Sequence, residues 1–307
     1  MTTSTISSRT CRRSSSGARV LTGVCALAPF AIAICVAAQG FDPALMVKPP
    51  ADSWPTYHGD YSGRRHSALT PITPDNVRQL GLAWVFQTGR SDQVKASPIV
   101  VNGVLYITTP DRLWAIDARS GRQIWQYSYP ENKGFHIGHR GAAVYRDFVY
   151  LTTPDAHLVA LDAKDGKVRW NVEIADSKKG YWSTNAPLLI RNHLLVGVSG
   201  DFDNLPGFLT SFDPETGAVQ WKFYTTGEPG KTKPGDALGG QMWMTGTYDP
   251  DLNLFYVGTG NPTPVLNGGA RPGNNLYTVS ILALNPDTGK MAWAFQATPH
   301  DTHDWDA

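Results

Sequence analysis

The side chains best suited to chemistry lie in three polar stretches, GGQMWMTGTYDP (239–250), YVGTGNPTP (256–264) and TPHDTHDWDA (298–307). The last stretch concentrates carboxylates and imidazoles, which ligate metal ions or move protons. GTGNP runs into a proline and not into a helix, so it does not predict a phosphate-binding loop. The order of motifs suggests no Ser–His–Asp arrangement. Thiol chemistry, disulfides and haem attachment are also excluded beyond residue 40, because every cysteine lies before it (Cys11, Cys25 and Cys35).

A repeated pattern surrounds these stretches and must position them. Four segments place Asp or Asn eight residues, and Gly four residues, before a Trp. The segments are LWAIDARSGRQIW (113–125), LVALDAKDGKVRW (158–170), LTSFDPETGAVQW (209–221) and ILALNPDTGKMAW (281–293). The Gly supplies the positive φ that a tight turn needs, and the Asp caps the turn. Each unit therefore predicts two strands joined by a turn.

A second hairpin of β-rich residues precedes each unit, for example SPIVVNGVLYITT (97–109) with its turn at Asn102-Gly103. Two hairpins make one four-stranded antiparallel sheet, and several such sheets predict an all-β propeller. The repeated Trp is interpreted as packing between neighbouring blades, with its N–H bonding across the gap. Consecutive repeat tryptophans lie 45, 51 and 72 residues apart, so the last interval carries insertions at 226–240 and 262–275.

The composition and the N-terminus bound the class of protein. The 307 residues carry a net charge of +1 with 17% charged residues, which argues against nucleic acid as a partner. Arginines precede an apolar run from Val20 to Ala38. Residues 1–40 are therefore predicted to be a secretory signal peptide, with a retained membrane anchor as the alternative. Residues 41–307 form the predicted propeller domain.

The three polar stretches, with the entry segment WPTYHGDYSGRRHSALTPITPDNVRQLGLAWVFQTG (54–89), resemble the pyrroloquinoline quinone (PQQ)-dependent alcohol dehydrogenases. The resemblance implies an eight-bladed propeller whose Trp repeats dock the blades. About four to five blades are present here, so the chain is interpreted as an incomplete propeller, the N-terminal part of a longer protein. It also implies a periplasmic quinoprotein that oxidises an alcohol by hydride transfer to metal-bound PQQ and passes the electrons to a cytochrome c.

The resemblance also carries site residues onto this sequence. Asp304 matches the catalytic carboxylate, and Trp243 matches the floor beneath the quinone ring. The remaining quinone contacts it implies are Arg140, Thr184 and Ser199. The metal ligands it implies are Asp201, Asn261, Asp304 and Asp306. Asp306 stands where lanthanide-dependent relatives have an extra acidic ligand, so the ion is expected to be Ca²⁺ or a lanthanide.

The sequence departs from that family at four places. Gly134 and Phe135 replace two adjacent cysteines that normally cover the quinone, so His136 or a neighbour would have to cover that face. The metal-binding glutamate is missing, and Asp201 takes its place if one gap is allowed in the alignment. Asp203 is the other candidate for that ligand. Lys95 occupies a position that is often Glu or Gln.

Two other interpretations remain open from the sequence alone. The chain is either an active dehydrogenase or, as the alternative, a truncated inactive fragment or a non-catalytic propeller scaffold of the same superfamily. If the chain is a dehydrogenase, the predicted substrate is a small-molecule alcohol, and a sugar or polyol is the alternative substrate. The membrane is a partner only if the N-terminal segment is retained.

Overall fold

The computed structural model describes residues 41–89, 94–129, 138–200, 204–233 and 235–305. The signal peptide or anchor predicted for residues 1–40 lies outside these residues. Within them the chain forms 18 strands and four short 3₁₀ helices, and no helix is long and apolar enough to cross a bilayer. The 3₁₀ helices are Pro43–Met46, Val77–Gln79, Ser177–Lys179 and Gly268–Ala270.

The strands form four successive four-stranded antiparallel sheets, each in chain order from the inside outwards, and one two-stranded ribbon. Blade 1 contains β1 (Ile99–Val101), β2 (Val104–Thr109), β3 (Arg112–Asp117) and β4 (Gln123–Ser128). Blade 2 contains β5 (Ala143–Tyr145), β6 (Phe148–Thr152), β7 (His157–Asp162) and β8 (Val168–Glu173). Blade 3 contains β9 (Leu188–Ile190), β10 (His193–Gly197), β11 (Phe208–Phe212) and β12 (Val219–Tyr224). Blade 4 contains β14 (Thr247–Asp249), β15 (Leu254–Gly258), β17 (Ser280–Leu284) and β18 (Met291–Gln296). The ribbon pairs β13 (Leu238–Gly239) with β16 (Pro262–Thr263).

The predicted all-β architecture of four-stranded antiparallel blades is confirmed, and the local signals behind it are visible. The first hairpin turns at Asn102 and Gly103, whose φ angles are 52° and 76°. Both residues tolerate this left-handed region better than others do. In the second repeat unit, the carboxylate of Asp162 accepts the backbone N–H of Lys164 at 2.8 Å, which is the predicted cap of the turn.

The strands differ in burial according to their position in the blade. The middle strands β10 and β11 are buried along their whole length. The outermost strands β4, β8 and β12 are instead exposed along one face. Apolar side chains on both faces of the middle strands pack against the two neighbouring blades, and this burial stabilises the fold.

Neighbouring blades are held together by a Trp of one blade lying on a Gly of the next. A Cβ added at Gly166 would lie 2.6 Å from Cε3 of Trp125, so the indole packs directly on the glycine backbone. The indole N–H of Trp125 donates to the carbonyl of Ala163 at 2.9 Å, which confirms the predicted bond across the gap. The docked pairs are Trp84 on Gly121, Trp125 on Gly166, Trp170 on Gly217 and Trp221 on Gly289.

The repeat pattern was incomplete as a guide to this docking. Trp84 docks on blade 1 although its segment has no Asp–Gly unit, and its indole N–H donates to the carbonyl of Ala118 at 3.2 Å. The N–H of Trp170 has no hydrogen-bond partner among the described residues, and the hydroxyl of Tyr150 donates to the carbonyl of Pro214. The repeat tryptophan of blade 4, Trp293, remains 45% exposed.

The segment 41–63 crosses the blades on their inner side. Trp54 exchanges backbone hydrogen bonds with Val100 of β1, at 2.8 and 2.9 Å. The hydroxyl of Tyr61 donates to the carbonyl of Leu189 in β9 at 2.8 Å, and its own carbonyl accepts a backbone N–H from β14. This segment therefore ties the innermost strands of different blades to one another.

Candidate quinone and metal site

The candidate residues share one edge of the blades. Because the strands are antiparallel, the start of the first strand, the end of the second and the end of the fourth meet at the same edge of a sheet. Arg140, Thr184 and Trp243 precede the innermost strands of three blades, Asn261 follows β15, and Ser199 and Asp304 follow β10 and β18 in the same way. The Asp–Gly turns of the repeat lie at the opposite edge.

Arg140 joins three blades through its backbone and side chain. Its carbonyl accepts the backbone N–H of Ser97 at 3.0 Å, and its backbone N–H donates to the carbonyl of Thr184 at 3.1 Å. The guanidinium donates through Nη1 to Oγ1 of Thr184 at 2.7 Å and through Nε to Sδ of Met244 at 3.0 Å. Thr184 Oγ1 in turn lies 3.4 Å from Oγ of Ser199. The structure thus brings together the three residues predicted to bind carboxylates.

Arg140 as a whole residue is only 8% exposed. Burial lowers the pKa of Arg140 below its usual range, because the charge is removed from water. Among the described residues, no carboxylate forms an ion pair with it. A buried cation without a protein counter-ion is suited to an anionic ligand.

Trp243 lies beside Arg140 and beside the metal candidates. The Arg140 guanidinium carbon is 4.7 Å from the centroid of the Trp243 ring, within the range of a cation–π contact. A Cβ added at Gly260 would lie 3.2 Å from Nε1 of Trp243, so Gly260 packs against the indole. Asn261 is the next residue in the chain. Trp243 and Asn261 also line one small cavity of about 110 Å³. The indole is half-buried and keeps part of its surface accessible.

Asn261 and Asp304 are in direct contact although they lie far apart in the sequence. The side-chain amide of Asn261 donates to Oδ1 of Asp304. Asn261 is 5% exposed, whereas Asp304 is exposed to solvent. The contact places the exposed carboxylate of Asp304 beside an amide that lines the cavity.

Several predicted residues lie outside the described residues, namely Asp201, Asp203, Asp306, Gly134, Phe135 and His136. Lys95 is described. Its aliphatic chain packs against Gly138, where an added Cβ would lie 2.8 Å from Cδ. Lys95 therefore contacts a residue that stands two positions before Arg140 in the sequence.

The sequence did not predict a ring of hydrogen-bonded polar side chains around His139, the residue before Arg140. His139 is 1% exposed, and its Nδ1 accepts the backbone N–H of Gly141 at 3.2 Å, so Nδ1 carries no proton. Thr108 Oγ1 therefore donates to Nδ1 at 2.7 Å, and Nε2 donates to Oγ1 of Thr152 at 3.0 Å. Thr152 donates onward to the carbonyl of Asn185 at 2.8 Å. The ring holds the loop of Arg140 against blades 1 and 3. A His next to the predicted Arg was the only signal of it in the sequence.

The donor chemistry of the site fits both an anionic planar ligand and a hard cation. Hard cations take carboxylate and amide oxygens, and the neighbouring side chains of Asn261 and Asp304, which are joined through the amide nitrogen, carry one of each. Among the described residues, no three His, Cys, Asp or Glu side chains converge on one point. The cavity beside them also contains Gln241, whose Oε1 is buried and has no partner within the described residues.

Comparison with known proteins identifies the family. The family model described as "PQQ: Glucose/ethanol/alcohol dehydrogenase, beta-propeller domain" matches residues 54–307. The quinoprotein alcohol dehydrogenase PedH of Pseudomonas putida KT2440 is 39% identical over 274 residues, which cover 80% of this chain and 46% of that protein.

Solved structures give the same result. The quinohemoprotein alcohol dehydrogenase of Comamonas testosteroni superposes with a TM-score of 0.80 at 34% identity, covering 88% of this chain and 45% of that one. A europium-containing methanol dehydrogenase gives a TM-score of 0.77 at 31% identity, covering 86% of this chain and 52% of that one. The chain thus spans about half the length of these relatives. Because the family model matches most of its residues, the chain belongs to the PQQ-dependent glucose/ethanol/alcohol dehydrogenase β-propeller family.

Proposed function

We propose that this chain carries the cofactor site of a quinoprotein dehydrogenase that oxidises an alcohol by hydride transfer to metal-bound PQQ. The observation that carries the proposal is the meeting of two clusters at one blade edge. The buried Arg140 guanidinium lies over Trp243, and the cavity beside that indole reaches Asn261 in contact with Asp304. A scaffold without a cofactor has no need of this arrangement.

The first cluster would hold the quinone. PQQ is planar and carries several carboxylates, so it pairs with a guanidinium and hydroxyl donors and stacks on an aromatic ring. Arg140 and Thr184 are already hydrogen-bonded to each other, and Ser199 extends the set by a second hydroxyl. Because backbone bonds from two other blades fix Arg140, little conformational entropy is lost when the ligand binds.

The second cluster would perform the proton transfer. When bound beside these residues, PQQ would supply an electrophilic carbonyl that can accept a hydride, and a cation would supply Lewis acidity. Asp304 takes the hydroxyl proton of the alcohol as general base, since its carboxylate is exposed and contacts Asn261, which lines the cavity. Asn261 orients that carboxylate through its amide N–H and keeps its own carbonyl oxygen for the cation.

The cation is proposed to be Ca²⁺ or a lanthanide. Asp201 would add a carboxylate in place of the family's glutamate, and Asp306 would add another. More negative charge among the ligands offsets more positive charge on the ion, so an acidic residue at 306 favours the trivalent ion. The similarity to a europium-containing methanol dehydrogenase supports this proposal.

Export and electron transfer complete the proposal. The positively charged and then apolar N-terminal 40 residues act as a signal peptide that directs the protein to the periplasm. The proposed electron acceptor is a cytochrome c, as the resemblance to quinoprotein dehydrogenases implies.

A fluorescence titration tests the site. PQQ is added to the purified chain with Ca²⁺ or La³⁺, and quenching of tryptophan emission is followed. We expect saturable quenching, and Trp243→Ala should raise the Kd about tenfold or more, since stacking of this kind contributes roughly 1–3 kcal/mol. Trp293→Phe is the matched control, because Trp293 is exposed and does not line the cavity. Absence of saturation, or equal affinity in both variants, would refute the proposal.

A second measurement separates the two cations. Dye-linked alcohol oxidation is measured after reconstitution with PQQ and either Ca²⁺ or La³⁺, in the wild type and in Asp306→Ala. The lanthanide assignment predicts that Asp306→Ala lowers the activity with La³⁺ by at least tenfold and changes the activity with Ca²⁺ little. Equal effects on both ions would remove the assignment.

A further inference from the structure

The proposed general base lies on a segment with no regular secondary structure of its own. Residues 297–305 follow β18 and form only turns and bends. Thr302, His303, Asp304 and Trp305 are exposed, and the buried residue among their neighbours is Asp301, at 2% exposure. Something outside the segment must therefore fix the backbone that carries Asp304.

The insertion loop 262–275 provides that support through one buried arginine. Arg271 is 0% exposed, which is rare for a side chain that is always charged. Its Nε donates to the carbonyl of Pro264 at 2.9 Å, and one Nη2 bond reaches the carbonyl of Val265 at 2.6 Å. Nη1 donates to Oδ1 of Asn275 at 2.5 Å. Arg271 thus gathers both ends of its own loop.

The remaining bond of the guanidinium leaves the loop and reaches the segment of the base. Nη2 of Arg271 also donates to the carbonyl of Asp301. Asp301 then accepts the backbone N–H of His303 through Oδ1 at 2.8 Å. Its carboxylate also acts electrostatically on Arg271. The path from the guanidinium to the residue next to Asp304 therefore consists of two hydrogen bonds.

The loop makes a second contact with the segment. The backbone N–H of His300 donates to the carbonyl of Asn274 at 3.2 Å, and Nδ1 of His300 donates to the carbonyl of Gly273 at 2.8 Å. These bonds alone would leave residues 301–304 free to pivot. Arg271 removes that freedom, because a planar guanidinium fixes the directions of its acceptors whereas an ammonium does not.

We propose that Arg271 is a positioning residue that, through Asp301, holds the carboxylate of Asp304 against Asn261. This rests on the proposed function only in taking Asp304 as the general base. The loop 262–275 is then the frame of the site, and its Gly- and Pro-rich sequence is folded around a single buried cation.

Hydrogen–deuterium exchange of the whole chain, without quinone or metal, tests the positioning directly. Arg271→Lys keeps the charge and removes the fork. We expect amide exchange in peptides covering 297–305 to become at least tenfold faster, while peptides from blades 1 and 2 keep their rates. Arg119→Lys, on an exposed turn of blade 1, is the matched control. Unchanged exchange in 297–305 would overturn the proposal.

Tb³⁺ binding, excited through tryptophan, connects positioning to the site. We expect Arg271→Lys to weaken Tb³⁺ binding at least fivefold and Asp304→Asn to weaken it more. If the wild type does not bind Tb³⁺, the proposed metal site fails, whereas the exchange result still decides the role of Arg271. Faster exchange with unchanged Tb³⁺ affinity would leave Arg271 a structural residue only, against the proposal.

A second variant covers the case in which Arg271→Lys loses its cooperative unfolding. Asn275→Gly removes one acceptor of Arg271 and keeps the left-handed backbone of residue 275, whose φ is 60°. It should show the same pattern to a smaller extent, about two- to fourfold in both measurements. Rates and affinity equal to those of the wild type would refute the positioning role.

Discussion

Gly166→Ala tests the docking of neighbouring blades through the contact of Trp125 with Gly166. Gly166 has φ 72°, and an alanine in this left-handed conformation costs about 1–2 kcal/mol. The new Cβ would lie 2.6 Å from Cε3 of Trp125, far inside the ordinary contact distance of ~3.5–4.0 Å. The indole must therefore move by about 1 Å, which costs about 1–3 kcal/mol as overpacking.

The movement also threatens the bond from Trp125 to the carbonyl of Ala163, which contributes about 1 kcal/mol. Together these effects predict a loss of about 3–6 kcal/mol in the free energy of unfolding. Urea titration followed by tryptophan fluorescence measures it. Two glycines provide a graded control. Gly217 has the same φ of 72° but a looser contact of 3.0 Å with Trp170, and Gly103 has φ 76° with nothing within 4 Å.

Gly103→Ala should therefore lower the free energy of unfolding by only the cost of the left-handed backbone, about 1–2 kcal/mol. Gly217→Ala should lower it by an intermediate amount. Equal destabilisation in all three variants would show that the glycines serve only the turn. The interpretation of the repeat as a docking device between blades would then be wrong.

The other predictions concern the site and its surroundings. Asp304→Asn should lower dye-linked alcohol oxidation by about 10²–10⁴-fold, since it removes the general base, and a loss below threefold would contradict that role. Arg140→Lys should weaken PQQ binding about tenfold in the fluorescence titration, because an ammonium cannot both face Thr184 and lie flat on the indole; unchanged affinity would place the ligand elsewhere. Asp287→Asn should lower the free energy of unfolding at neutral pH but not in acid. Burial alone raises the pKa of Asp287, but hydrogen bonds from a neighbouring asparagine and Arg191 outweigh it and hold that pKa below its usual range. The stabilisation is therefore present above about pH 4 and lost as the pH falls through the lower folded-state pKa, so urea titrations of variant and wild type should converge in acid and differ at neutral pH. A constant difference across the pH range would refute the linkage.

The blades could be predicted from the sequence because their signals are local. A turn that needs positive φ, an Asp that caps it and alternating apolar residues all lie within thirteen residues of one repeat unit. Besides the positive φ of the turn, the glycine has a second reason, the close packing of a Trp ring, and local sequence signals could not predict it. Gly121 must lack a Cβ because the ring of Trp84 lies on it, and the two residues belong to different segments. Trp84 was missed for the same reason, since its own segment lacks the Asp–Gly unit.

The site was predictable only through family resemblance. The contact of Asn261 with Asp304 joins residues on two different strands' ends, and no periodicity in the sequence indicates it. Arg271 was missed altogether. A single arginine in a Gly- and Pro-rich loop normally predicts a solvated side chain, and only the carbonyls that surround it in the folded chain explain its burial.

The topology also explains why repeat and site can be separated. In a four-stranded antiparallel blade, the turn between the third and fourth strands lies at one edge, and the ends of the second and fourth strands lie at the other. Docking glycines such as Gly166 occupy the first edge, whereas Asn261 and Asp304 occupy the second. Loops at the second edge can lengthen, as 262–275 does, without disturbing the docking contacts. A glycine variant should therefore lower stability while the PQQ affinity of the folded fraction stays unchanged. An Arg271 variant should instead weaken cation binding, because its hydrogen bonds support the edge where the proposed chemistry takes place.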